Sequence, residues 1–229
     1  MSIEEYFGDW SKVLDLEETN KIVHKVKDIP ICPVLSDIFR AFKLCRYNDL
    51  RVVVIGQDPY SNLRNKVPVA TGLAFANTAD TPLHSFSPSL DILRDSVMSF
   101  SNPDETTNFD PSLEKWASQG VLLLNSALTC QVGKTGSHML LWRPFMKSLL
   151  INLSERLTGI VYVLMGSNAQ SLEVFINSKT NHIIKTRHPS YYARTGTSMP
   201  SDIWRKINKI LIGINGYGIK WYESKNIND

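Results

Sequence analysis

Four short, largely apolar runs divide the chain: RVVVI (51–55), VLLL (121–124), IVYVL (160–164) and HIIKT (182–186). Each leads into a stretch read as helical, namely SPSLDILRDSV, WRPFMKSLLINLSERL, MGSNAQSLEVFI (a turn into a helix) and SDIWRKINKILIGI. Two further helical patterns, LEETNKIVHKVKDI and LSDIFRAFKLCRY, fill most of the first fifty residues. Short apolar strands alternating with helices are covered on both faces, which is the signature of a parallel sheet. The expected fold is therefore α/β: a single-domain three-layer α/β/α sandwich with a central parallel sheet of about four strands. One domain over 1–229 is expected, with a helical N-terminal part (1–50) and an α/β core (51–222). No internal linker or repeat is visible.

In open parallel sheets, ligands bind beyond the carboxyl ends of the strands. The residues just past the four runs are Gln57-Asp58-Pro59-Tyr60, Asn125-Ser126, Gly166-Ser167 and His188-Pro189-Ser190. Each has a structural explanation when taken alone. Asp-Pro is ordinary turn chemistry, Asn125 suits a loop cap, Gly166 a strand-to-helix turn, and His188 a surface residue held by proline. An acid, an amide, a tight glycine and an imidazole at four successive strand ends favour a shared site. Ser87-Pro88-Ser89 places a proline at the first helical position after a serine cap, and Gly166-Ser167 opens the next helix directly from its strand. Unpaired N–H groups at such starts suit phosphate oxygens.

Bulk properties narrow the class. The chain has 229 residues, 43% hydrophobic and 21% charged, enough to bury a sizeable core. No apolar run approaches the ~20 residues needed to span a bilayer. The acidic opening MSIEEYFGDW lacks the basic-then-apolar pattern of a signal or transit peptide, so an intracellular, cytoplasmic protein away from membranes is expected. Three scattered cysteines (Cys32, Cys45, Cys130) without CxxC spacing argue against disulfides, structural zinc and iron–sulfur clusters. Net charge is only +3, but residues 179–209 hold seven basic side chains against one acid, Asp202. That run is either a solvated face or a nucleic-acid rim. G-x-G-x-x-G and G-x-x-x-x-G-K-[ST] are both absent, which argues against dinucleotide or nucleoside-triphosphate chemistry.

The ordered segments GQDPY, GLAFAN, SPSL, WASQGVLLLNSALT, SHMLLW, MGSNAQ and HPS, with DIFRAFKL upstream and IKWY near the end, resemble the family 1 uracil-DNA glycosylases over roughly residues 30–222. The resemblance implies a monofunctional enzyme that flips uracil out of single- or double-stranded DNA and hydrolyses its glycosidic bond without metal or organic cofactor. It implies Asp58 and His188 as catalytic groups: Asp58 on the attacking water and the cationic sugar, His188 on uracil O2. Gln57, Tyr60, Phe75 and Asn125 would bind uracil, Phe75 by stacking, Asn125 by reading N3–H and O4, and Tyr60 by excluding a C5 methyl. Ser87, Pro88, Ser89, Gly166, Ser167 and Ser190 would hold the DNA backbone. The implied protein is a monomer, open to a DNA-mimicking protein inhibitor.

The chain departs from the pattern at Ser61, where histidine is usual, at Met165 and Asn168, where Trp and His are common, and in the longer 61–71 loop. A wedge leucine is usual two residues past HPS, and Tyr192 stands there. Tyr192 is therefore expected to intercalate, or else to mark a preference for single strands. The rival readings are a related glycosylase for mismatched or oxidised pyrimidines, a non-catalytic DNA-binding or replication-associated module on the same fold, and a protein acting on small nucleosides.

Overall fold

The computed structural model describes residues 2–100 and 106–225, so both ends of the expected 1–229 unit lie outside the described residues. Its centre is a sheet of four parallel strands, β1 (Val52–Gly56), β2 (Val121–Asn125), β3 (Val161–Met165) and β4 (His182–Thr186), in the order β2-β1-β3-β4. The helices that cover it and carry the site are α1 (Leu16–Val26), α2 (Pro88–Met98), α3 (Met139–Arg156), α4 (Pro189–Thr195) and α5 (Asp202–Asn215).

The uniform apolarity of the strands resolves into two faces, because successive side chains point to opposite sides of a sheet. Val53, Ile55, Leu122, Leu124, Tyr162 and Leu164 pack against α1, α3 and the N-terminal aromatics. Val52, Val54, Leu123, Val161 and Val163 face the other way, onto α2, α5 and the group Trp116, Trp204 and Trp221. Both layers of the sandwich are thus built on one sheet, as the strand–helix alternation requires.

Local signals set several boundaries. Asp15 caps α1 through Oδ1, which accepts from the Glu18 amide at 2.9 Å. Ser87 stands at the N-cap of α2 with Pro88 at the first helical position, as the sequence indicates, but its hydroxyl makes no capping bond and is engaged by Asn77 instead. α4 and α5 end at Gly196 and Gly216, both left-handed, a conformation glycine adopts without a Cβ penalty.

Three expectations change. LSDIFRAFKLCRY is not one helix but a five-residue helix, Arg40–Leu44, between single turns at Leu35–Asp37 and Tyr47–Asp49. Phe39, Phe42 and Tyr47 are drawn into an edge-to-face cluster with Phe7 and Trp10, and that packing overrides helical continuity. The helix opened by Gly166-Ser167 is only four residues long, Ser167–Gln170, and SLEVFI does not continue it but holds a separate turn, Glu173–Phe175. The long 61–71 loop contains a hairpin, Leu63–Arg64 paired with Val67–Pro68, turned by Asn65 and Lys66 at φ 51° and 67°. Arg64 ties this hairpin to the 82–87 strap by donating to the Ser85 carbonyl at 2.7 Å.

The three cysteines are free and buried, yet two are not scattered. Cys32 and Cys130 stand opposite each other in the short antiparallel pair Ile31–Cys32 and Cys130–Gln131. Among the described residues no helix is long and apolar enough to cross a membrane.

Candidate active site

β1 and β3 are neighbours whose onward connections run in opposite directions, so the crevice beyond their carboxyl ends is the switch point of the sheet. The loops leaving β1 and β2 are fastened together there. Ser126 donates to the Gly56 carbonyl through both its amide (3.1 Å) and its hydroxyl (2.8 Å), and the Ala127 amide donates to the Gln57 carbonyl at 3.1 Å. Gly56 must lack a side chain, since a Cβ would stand 2.6 Å from Asn125 Oδ1 and 2.8 Å from Phe75 Cζ. The amide and the aromatic ring therefore meet against bare backbone.

Asp58 is half-buried in this crevice. The Gly136 amide donates to its Oδ2, and the Gln57 side chain is a second donor. Burial raises the carboxyl above the usual carboxylate range, and the two donors pull it part of the way back. The result is a carboxylate held in one orientation inside a partly dry site.

His188 caps α4. Its Nδ1 accepts from the Ser190 amide at 3.2 Å and lies 2.8 Å from Ser190 Oγ. An Nδ1 that accepts places the remaining ring proton on Nε2. Burial pushes the imidazolium down to about 4, so the ring is neutral at physiological pH. Gly166 makes room for it: a Cβ there would fall 2.8 Å from that of His188. The His188 ring lies 5.5 Å from Phe75, centroid to centroid.

Phe75 is buried with φ at 69°, a left-handed conformation that is costly for a bulky residue. The Tyr60 hydroxyl holds it by donating to the Phe75 carbonyl at 2.8 Å. Although the Tyr60 residue as a whole is half-buried, its hydroxyl is enclosed, and burial drives its pKa upward.

Gln57, Asp58, Tyr60, Phe75, Asn125 and His188 line one cleft of about 270 Å³, together with Ser89 and Ser190. The structure thus brings together all six residues expected to act on uracil. Gly166, Ser167 and Ser190 share an adjoining cleft with Gln57, His188, Arg187 and Arg194. Ser87 is buried and engaged by Asn77, whereas Pro88 is exposed. The basic run is split: Lys185 pairs with Glu173 and Lys206 with Asp202, while Arg187 and Arg194 stay at the rim.

Tyr192 does not reach that rim. It is 8% exposed, packs within the α2–α5 layer, and sets its hydroxyl 3.4 Å from Thr186 Oγ1. A wedge has to protrude, so in this conformation the expected ring points the wrong way. The half-buried ring is Tyr191, with the Arg187 guanidinium 4.2 Å from its centroid.

His138 is buried, with Nδ1 2.8 Å from Thr129 Oγ1, and Trp142 donates to that same oxygen at 2.7 Å, a structural arrangement. Sequence reasoning missed Gly136 as the Asp58 donor and Asn77 as the partner of Ser87. A glycine between Thr135 and Ser137, and a polar residue ending GLAFAN, were the only signals. Among the described residues, no group of three or more His, Cys, Asp or Glu is placed to hold a metal ion.

The family model for the uracil DNA glycosylase superfamily matches residues 42–212. A uracil-DNA glycosylase of Mycoplasmopsis pulmonis is 36% identical over 223 residues, covering 95% of this chain and 91% of the relative. One from Campylobacter jejuni strain 81-176 is 32% identical, covering 89% and 91%. The crystal structure of mimivirus uracil-DNA glycosylase superposes with a TM-score of 0.73 at 24% identity, covering 96% of this chain and 93% of that one. A mimivirus UNG variant in complex with UGI superposes with a TM-score of 0.76, also at 24% identity, covering 96% and 88%.

Proposed function

The chain belongs to the uracil DNA glycosylase superfamily, and on that footing we propose that it excises uracil from DNA by hydrolysing the N-glycosidic bond and leaving an abasic site. The observation that carries the reading is the convergence of Asp58, Asn125, Phe75 and His188 on one cleft at the switch point. Within the superfamily we assign the chain to family 1, on the Asp58-Pro59-Tyr60 turn and Asn125.

Uracil inside a duplex is stacked, so the nucleotide must first swing into the cleft. Phe75 offers a face for the base. Asn125 accepts from N3–H through its amide oxygen and donates to O4 through its NH₂. Cytosine reverses both groups, and at ~1–3 kcal/mol for each unpaired buried group the two mismatches cost roughly 2–6 kcal/mol. Tyr60 stands on the C5 side, where the thymine methyl would have to go.

In the reaction the C1′–N1 pair leaves with uracil, so positive charge grows on the sugar and negative charge on the base. The Nε2–H of neutral His188 donates to O2 as that charge develops, assisted by backbone amides near Gln57. Donors fixed in advance in a partly dry site are usually the largest catalytic contribution. Asp58 stabilises the cationic sugar and orients the water, whose oxygen bonds to C1′ and whose proton is released. A neutral imidazole with its proton on Nε2 supports this division of labour.

For the backbone we assign Ser89 and Ser190, which line the cleft, with Gly166 and Ser167 beside them and Ser87-Pro88 at the start of α2. The single polypeptide acts as one domain and as a monomer on single- or double-stranded DNA. The UGI complex of the mimivirus relative supports looking for a DNA-mimicking inhibitor of this rim. A half-buried Asp58 supports an active enzyme over a retained-fold binding module, since burying a carboxylate is costly without a use for it.

Oligonucleotides carrying one uracil, thymine or cytosine, incubated with EDTA and developed with alkali, test the proposal. Cleavage at uracil alone, lost in Asp58→Asn, is the expected result. Salt-sensitive binding without cleavage would return the binding module.

A further inference from the structure

The hairpin of Leu63–Arg64 and Val67–Pro68 stands at the edge of the cleft and has no part in the chemistry assigned to it. Its foot is in the cleft wall, where Ser61 and Asn62 lie beside Asp58 and Tyr60. Three contacts hold that foot. The Val69 amide donates to the Asn62 carbonyl at 3.1 Å, the Gly133 amide donates to the Ser61 carbonyl at 2.7 Å, and Ser61 Oγ lies 3.3 Å from Thr135 Oγ1. Arg64 braces the hairpin from the other side through the Ser85 carbonyl. Gly133 and Thr135 belong to the segment between β2 and α3, at one edge of the sheet, whereas Gly166, Ser167 and Ser190 follow β3 and β4. The strand order therefore sets the hairpin across the cleft from Arg187 and Arg194. A DNA strand that drops one nucleotide into the cleft leaves over both edges, and each edge has to receive it.

The surface of the hairpin suits that task. Residues 59–79 include Arg64 and Lys66 and no acid. Lys66 at the tip and Lys134 on the turn beside the foot are exposed, and among the described residues neither is in an ion pair, unlike Lys185 and Lys206. Val67 is 60% exposed and Leu63 42%. Cross-strand pairing sets Val67 beside Arg64 on one face and Leu63 beside Pro68 on the other. A duplex offers phosphates to such a surface but keeps its base faces stacked, while an unpaired strand offers both. Uncovered aliphatic side chains among cations therefore match single-stranded DNA.

We propose that the hairpin is a docking edge for a single-stranded flank of the DNA, with Lys66 and Lys134 on its phosphates and Val67 against an unpaired base. The inference rests on the uracil-excising reading and adds to it a grip on unpaired strands, set by a part of the chain that touches no reacting atom. The contacts at Ser61 and Asn62 make the hairpin a fixed extension of the cleft wall, so the flank is received at a set distance from Asp58.

Titrations of uracil-free oligonucleotides, single-stranded and duplex, at several salt concentrations test the grip without catalysis. Lys66→Ala should weaken single-strand binding by about threefold to tenfold at low salt and lower the slope of log K against log[salt] by about 0.7. Val67→Ser should weaken it by about threefold to fivefold with the slope unchanged, and should leave duplex binding as it is. Cleavage then locates the contact. With uracil at the centre of a single strand, kcat/KM of Lys66→Ala should fall by a factor similar to its loss in binding. With uracil at the 5′ end or at the 3′ end one flank is missing, and on one of those two substrates the difference from wild type should vanish. Equal losses on both end-placed substrates overturn the inference, as does single-strand binding unchanged in both variants. Equal losses of Val67→Ser on duplex and single strand overturn the single-strand assignment. If Lys66→Ala loosens the hairpin, Lys66→Gln removes the charge and keeps the stem, and its salt slope decides. Wild-type protein that grips single strands through Lys66 yet releases no uracil overturns the excision reading and not the hairpin.

Discussion

The backbone amide of Gly136 donates to Oδ2 of Asp58 at 2.5 Å, joining two residues 78 positions apart in the chain. That donor and the Gln57 side chain lower a carboxyl that burial raises, and burial wins. Loss of activity on acidification should therefore begin at a higher pH than an ordinary carboxylate would give. His188, pushed down to about 4, adds no loss above that value. The pH profile of kcat/KM should rise with pH and level off, with no break near 6.5 from the imidazole. Asp58→Asn should lose about 10²–10⁴-fold, the usual range for a positioned acid or base. Stability follows His188 in a definite sense. The unfolded chain takes up the proton first, at the ordinary imidazole value of 6.5, so the fold loses stability as pH falls from 6.5 towards 4. Thermal melts across that window check the sign.

Gly56→Ala should damage the pocket more than the fold. The added Cβ would sit 2.6 Å from Asn125 Oδ1 and 2.8 Å from Phe75 Cζ, so reader and platform must both shift. Overpacking of this kind costs about 1–3 kcal/mol, and a comparable loss in transition-state binding is about 5- to 160-fold in kcat/KM. Kinetics and a melting curve on the same preparation separate the two effects.

Asn125→Asp should extend cleavage to cytosine. The substitution replaces the NH₂ donor that meets O4 of uracil with an acceptor able to meet the amino group of cytosine. The roughly 2–6 kcal/mol preference for uracil should fall by about half, because the amino-group mismatch is removed while the acceptor–acceptor contact at N3 remains. Cytosine oligonucleotides read with the same alkali assay decide it.

Tyr191 and Tyr192 should separate cleanly. Tyr192→Ala opens a hole in the α2–α5 layer and should cost about 3–5 kcal/mol of stability, as for other buried aromatics. Tyr191→Ala should leave the melt unchanged and reduce activity on duplex more than on single-stranded uracil, because a wedge matters only where a stack must be filled. Equal losses on both substrates for Tyr191→Ala would remove the wedge role from that ring.

Arg187→Ala and Arg194→Ala should each weaken DNA binding at low salt. Each should also reduce the slope of log K against log[salt] by about 0.7 to 0.9, depending on strand number. Lys21, paired with Glu17 at 2.6 Å on the N-terminal helix, is the control whose replacement should leave the slope unchanged. Titrations at several salt concentrations measure all three.

The strand–helix alternation was legible along the chain because strands covered on both faces have to be apolar. Gln57, Asp58, Tyr60, Asn125 and His188 could be placed on one rim because a parallel sheet gathers its carboxyl ends, and Phe75 by the GLAFAN resemblance. That much the sequence by itself determined. Tertiary structure alone decided the rest. It broke the 35–47 helix to feed an aromatic cluster, turned Tyr192 inward, and set Phe75 in a left-handed turn held by Tyr60. It also brought the Gly136 amide to Asp58, placed the His188 proton on Nε2, and tied Ser87 to the Asn77 side chain. Apolar periodicity reports which positions are buried, and little else. Hydrogen bonds between distant residues leave no such period, so they become visible only when the chain has closed on itself.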